Sequence, residues 1–178
     1  MNGVIGVSPY MARKHYTGVG IMTSTVVDIQ GLLTQLDAAN TRIMDGDWSV
    51  WRELISHRDD ITVLGAYGLC LTGWEPVSER FGRTAAGYAG GGGYSTHEYV
   101  SGWMGADLAC SVAVERHVTR LDGSPEPVPF LYRATHVFRR EGDEWKIVLR
   151  HADPLARFVG PQVTHSLALV QPESGDSV

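Results

Sequence analysis

The stretch "WKIVLRHADP", residues 145–154, ends in two groups able to do proton chemistry. Trp145, Ile147 and Leu149 alternate as on a strand buried on one face, and His151 and Asp153 take the next two places of that alternation. An imidazole titrates near neutral pH, so His151 is a candidate general acid or base, with Asp153 setting its tautomer. Direct contact between them requires the strand to bend before Pro154. The blander reading is a satisfied histidine at the edge of a core.

A second pair lies upstream. If strands at 107–121 and 129–140 pair around the loop 122–128, one register sets Glu115 opposite Arg133, Ala113 opposite Thr135 and Ser111 opposite Val137. Glu115 and Arg133 are then either a structural ion pair or a pocket pair that orients a substrate. The turn "EGDE" can close in two ways. One puts His151 and Asp153 on the face of Glu115 and Arg133, the other on that of Val114, Ala134 and His136, because a slip of one residue exchanges the faces. Glu115, Arg133, His151 and Asp153 are the expected catalytic set. Trp51, Tyr67, Tyr99, Trp103 and Thr135 are the expected substrate contacts, although aromatic residues at such positions also serve a core. His57 and His136 read as structural.

Other chemistries lack their residues. "AGGGGY" has no Lys-Ser/Thr and follows a helix, so it is no phosphate loop. No G-x-S-x-G elbow occurs. His151 and Asp153 could place two metal ligands on one strand face, but no H-x-E-x-H or H-E-x-x-H motif completes them, and neither metal nor cofactor is expected.

The elements that must position these groups follow from period and punctuation. Thr25 and Asp28 form a capping-box-like start to a helix carrying Ile29, Leu32, Leu33, Leu36, Ile43 and Met44. Gly46 suits the left-handed position after it, and Asp47 suits the N-cap of a second helix with Trp48, Trp51, Leu54 and Ile55 on one side. "ITVLGAYG" (61–68) reads as one buried strand. "TGWE" (72–75) opens a third helix with Trp74, Val77, Phe81, Ala85 and Tyr88 inward. After residue 93 the period becomes two, with strands near 94–104, 107–121, 129–140 and 144–152. Helices first and long hairpins last mean α+β. The expected architecture is three N-terminal helices packed on a strongly curved, mostly antiparallel sheet.

The chain has 178 residues, 43% hydrophobic and 20% charged, with a net charge of −5. That composition fits one globular domain and argues against a nucleic-acid surface, which would carry a basic stripe. No apolar run approaches the roughly 20 residues of a membrane helix. Cys70 and Cys110 read as small core residues of a reducing, cytoplasmic protein. Residues 1–23 have mixed character and are expected to lie outside the fold, whether as a flexible arm or through an upstream start. Residues 24–155 form the domain and 156–178 a tail.

Three stretches resemble one superfamily. "LDAANTRIMDGDWSVWRELISHRDDITVLG" is similar to the helix-helix-strand opening of SnoaL-like, nuclear-transport-factor-2-like proteins. "GADLACSVAVER" and "YRATHVFRREGDEWKIVLRHADP" resemble its closing hairpins, so the likeness spans about residues 26–155. The resemblance implies a cone with a pocket at its open end and, frequently, a homodimer. It also makes His97 in "STHEYVSG" a candidate substrate contact, since dehydratase-like relatives place a histidine at the start of this strand. The superfamily includes isomerases, cyclases and dehydratases as well as members that only bind or dimerise. Two functions therefore stand side by side: a cofactor-independent acid/base enzyme on a small, largely apolar molecule, or a binding or dimerisation module without turnover.

Overall fold

The computed structural model describes residues 28–65, 68–88, 92–120 and 126–155. Within them the order is α1 (Ile29–Ile43), α2 (Ser49–Leu54), β1 (Thr62–Gly65), β2 (Leu69–Thr72), α3 (Trp74–Tyr88), β3 (Gly93–Met104), β4 (Leu108–Thr119), β5 (Val128–Glu141) and β6 (Glu144–Pro154). The expected arm, 1–23, and tail, 156–178, lie outside the described residues.

Asp28 is itself the N-cap of α1, its carboxylate accepting from the Gly31 amide at 2.7 Å; the Thr25 of the expected capping box lies outside the described residues. Leu32, Leu33, Leu36, Ala39 and Ile43 form the buried stripe of α1. Gly46 takes the left-handed conformation, φ +88°, that turns the chain out of α1. Asp47 then accepts from the Ser49 amide at 2.9 Å, satisfying an end donor of α2. Trp51 of α2 is buried.

The region after α2 differs from expectation. Residues 61–68 do not form one strand: β1 turns into β2, the Gly68 amide donating to the Gly65 carbonyl at 3.1 Å with Gly68 at φ +75°. The apolar run continues through both strands, so its periodicity carries no mark of the reversal. Thr72 closes β2, and the turn into α3 passes through Gly73 at φ +90°. Among the described residues there are three helices, two before the sheet and α3 between β2 and β3.

The six strands form one sheet in the order β2-β1-β6-β5-β4-β3. Every neighbouring pair is antiparallel except β1 with β6. Strands β4 and β5 are adjacent and antiparallel, as their turn chemistry requires. The helices cover one face, closing a core of Leu33, Leu36, Trp51, Ile61, Val63, Ala113, Phe138 and Ile147 among others. No helix among the described residues is long and apolar enough to cross a membrane.

Candidate active site

Two registers decide which side chains meet. In the β4–β5 pair Glu115 stands opposite Tyr132, and Val114 opposite Arg133. The expected Glu115–Arg133 opposition is therefore one residue out, and the pleat sends the two side chains to opposite faces. Likewise Ala113 opposes Ala134 and Val112 opposes Thr135.

The second register contains a bulge. Phe138 pairs with Ile147, but Val137 pairs with Leu149, leaving Val148 as the extra residue in β6. The bulge inverts the alternation. Before it, Ile147 points into the core; after it, Arg150 and Ala152 point inward while Leu149, His151 and Asp153 occupy the other face. The apolar series Trp145, Ile147, Leu149 thus does not run on to His151 on a single face.

Inside, the strands meet α1, α2 and α3 around a cavity of about 360 Å3. Its walls are apolar over Ile43, Met44, Val63, Leu69, Phe81 and Phe130, and polar at Asn40, Arg80, Arg83, His117 and Arg150. Concave, mostly apolar spaces with a few convergent polar groups are the usual form of a small-molecule site.

A buried network lies behind this wall. Glu115, 1% exposed, receives both prongs of Arg150, Nη1 to Oε1 at 2.8 Å and Nη2 to Oε2 at 2.7 Å. His117 Nε2 lies 3.1 Å from Glu115 Oε2, and its ring meets Tyr132 edge-on at 5.3 Å. Burial by itself raises the Glu115 pKa, but the Arg150 guanidinium, its hydrogen bonds and that of His117 hold it well below the usual carboxylate range. A carboxylate only accepts, so in the neutral His117 ring Nε2 donates and Nδ1 keeps its lone pair.

His136, fully buried, is 2.5 Å from Arg150 Nη1 through Nε2. Burial first, then the positive charge of Arg150, push its pKa down to about 3, against the pull of Glu115. It is therefore neutral at pH 7, and its 3.5 Å approach to Glu115 is no ion pair there. Arg150 also lies over the Trp51 ring at 5.6 Å, while Trp51 Nε1 donates to Asn40 Oδ1 at 2.8 Å.

Of the expected residues, Glu115 and Trp51 meet here, Trp51 in the cavity wall and Glu115 directly behind it. His151 and Asp153 lie on the opposite face, 3.3 Å apart and each 47% exposed at the side chain. Arg133 stands opposite Asp153, and Thr135 opposite His151, on that same outer face. His97 is elsewhere: its Nδ1 donates to Asp37 Oδ2 of α1 at 2.5 Å, and Ser95 Oγ donates to Asp37 Oδ1 at 3.2 Å. Tyr99 and Trp103 are exposed, by 39% and 66%, and do not line the cavity. Tyr67 lies outside the described residues. No group of three or more His, Cys, Asp or Glu able to hold a metal occurs among the described residues.

The groups that sequence reasoning passed over are Arg150, His117, Asn40 and Arg80. One signal was present: Glu115 and His117 are two apart on one strand, a spacing that puts a carboxylate and an imidazole on the same face. Arg150 was hidden by the bulge.

No family model matches the sequence, and no curated protein matches it. Solved structures do. A proposed calcium/calmodulin-dependent protein kinase type II association domain from Thiobacillus denitrificans is 25% identical, with a TM-score of 0.56 over 72% of this chain and 95% of that one. A proposed dehydratase of the NTF2-like family from Streptomyces avermitilis is 24% identical, with a TM-score of 0.53 over 70% and 96%. The CaMKII hub of S. rosetta is 17% identical, with a TM-score of 0.53 over 70% and 95%. The chain has the NTF2-like α+β cone fold that these structures share.

Proposed function

We propose that this protein binds a small, largely apolar molecule in the cone and acts on it by cofactor-independent acid/base chemistry of the isomerase, cyclase or dehydratase type. The observation that carries the reading is His117, in the cavity wall with a fully buried, ionised Glu115 at its back. Glu115 orients the ring and stabilises the imidazolium formed when Nδ1 takes a proton from substrate; Arg150 fixes Glu115 in turn. The apolar walls keep water from competing for that proton. His151, Asp153, Arg133 and Thr135 then belong to a second surface, the outer sheet face, on which two copies of the chain pack as a homodimer. A cytoplasmic setting completes the proposal and suits its two free cysteines.

The test is proton exchange. Wild-type protein in D2O, given a panel of small enolisable and β-hydroxy ketones, should catalyse exchange or elimination visible by NMR. His117→Gln, which can still donate to Glu115, should slow it about a hundredfold or more while the circular-dichroism spectrum stays that of the folded wild type. If the wild type retains such ketones by calorimetry but exchanges none, the domain is a binding module without turnover.

A further inference from the structure

Two buried donors in the cavity wall have no acceptor among the described residues. Asn40 is 4% exposed, and its amide orientation is set because Oδ1 accepts from Trp51, which leaves Nδ2 as a donor without a partner. Arg80 Nε, from α3, is buried and likewise unpartnered. Both residues line the cavity. A buried donor without an acceptor is costly, so its persistence in a ligand cavity points to a group that arrives with the ligand.

The charges say which group. Among the described residues three arginines line the cavity and no carboxylate does. Arg150 is neutralised by Glu115, and Arg83 is paired with Glu79 at 3.1 Å. Arg80 has no acidic partner among the described residues, so the wall carries one uncompensated positive charge in a chain whose net charge is −5. A carboxylate answers each feature: it balances Arg80, and its two oxygens accept from separate donors.

We propose that the ligand of this cavity is an anion, a small carboxylate with an apolar body, its carboxylate received by Arg80 and Asn40 and its body by Phe81, Phe130 and Ile43. The inference deepens the functional reading above and rests on the cavity being the ligand site. It is independent of whether His117 turns the ligand over.

Calorimetry with three probes of one length tests it: octanoate, 1-octanol and octylammonium. Octanoate should bind the wild type about ten- to a hundredfold more tightly than octanol, the advantage of a charge-assisted contact, and octylammonium most weakly. Arg80→Gln should bring octanoate to within about twofold of octanol, and Arg80→Lys should keep part of the difference, thermal melts reporting the fold of each variant. Octanol binding as well as octanoate, or an octanoate advantage that survives Arg80→Gln, would overturn the anion assignment while leaving the cavity as the ligand site. Binding of none of the three by the folded wild type would overturn both.

Discussion

Glu115 and Arg150 are the most consequential side chains for stability, because each neutralises a charge the other leaves away from water. Removing one partner of such a buried pair strands the remaining charge, at about 3–5 kcal/mol. His136, between them, adds a pH dependence. Its pKa is about 3 in the fold against an ordinary value of 6.5, so between those values the unfolded chain binds a proton that the folded one refuses. The unfolded state is then the more protonated, and stability rises with pH. Read downward, stability is lost as pH falls from about 6.5 toward 3, at up to about 1.4 kcal/mol per pH unit. Glu115, held well below its ordinary 4.5, adds a loss of the same sign at lower pH. Urea denaturation at intervals from pH 7 to pH 4.5 should show this limb in the wild type. His136→Gln, which keeps an acceptor for Arg150, should flatten it above pH 4.5. A wild type whose stability is level from pH 7 to 5, or a variant with the same slope, would remove His136 from the explanation.

At the scale of elements, one extra residue in β6 selects the site. With Val148 as a bulge, Ile147 reaches the core and Arg150 reaches Glu115; without it, strict alternation would leave only one of them inside. Deleting Val148 should therefore cost several kcal/mol, the sum of a lost core contact and a stranded Glu115. Val148→Ala, which keeps the chain length, should cost about 1 kcal/mol or less at this half-buried position. Chemical denaturation of both variants checks the contrast, and a deletion as mild as the substitution would mean that the bulge can move. The same bulge explains what could be read from the sequence and what could not. Both long hairpins, the α1 stripe and the Gly46 turn were legible, since apolar period and turn residues act locally. Glu115 and Trp51, which the pattern singles out, sit in the middle of strongly patterned elements, so their burial could be read from the sequence. The face taken by His151 and Asp153 stayed open in the sequence because face is cumulative along a strand: the β4–β5 register and the bulge at Val148 each decide it. The bulge leaves no Gly or Pro at the point where it happens. Asn40 and Arg80 were invisible for another reason: their meaning lies in what they fail to bond, which only packing reveals.

For the whole molecule, the two sheet faces have different tasks. The inner face is filled by helices and cavity, while no described element covers the outer face. There Leu131 is 39% and Trp103 66% exposed, beside the half-buried Val112, Val114, Thr135 and Val137. Apolar surface of this extent on a lone chain is a common mark of an interaction site. The outward pairs, Arg133 opposite Asp153 and His151 within 3.3 Å of it, give the same face polar groups that could set the angle of a partner. A homodimer on this face must bury roughly 1,200–2,000 Å2 in total to be stable, and self-packing makes each side chain count twice. Light scattering at micromolar concentration should then return twice the 19.4 kDa of the chain. Leu131→Arg puts a charge on the outward side of β5, between the inward-facing Phe130 and Tyr132, so it touches neither core nor cavity. It should give monomers with an unchanged circular-dichroism spectrum and, if the cavity is complete within one chain, unchanged octanoate binding. A wild type that scatters as 19.4 kDa would end the dimer proposal. A dimer untouched by Leu131→Arg would move the interface off this face.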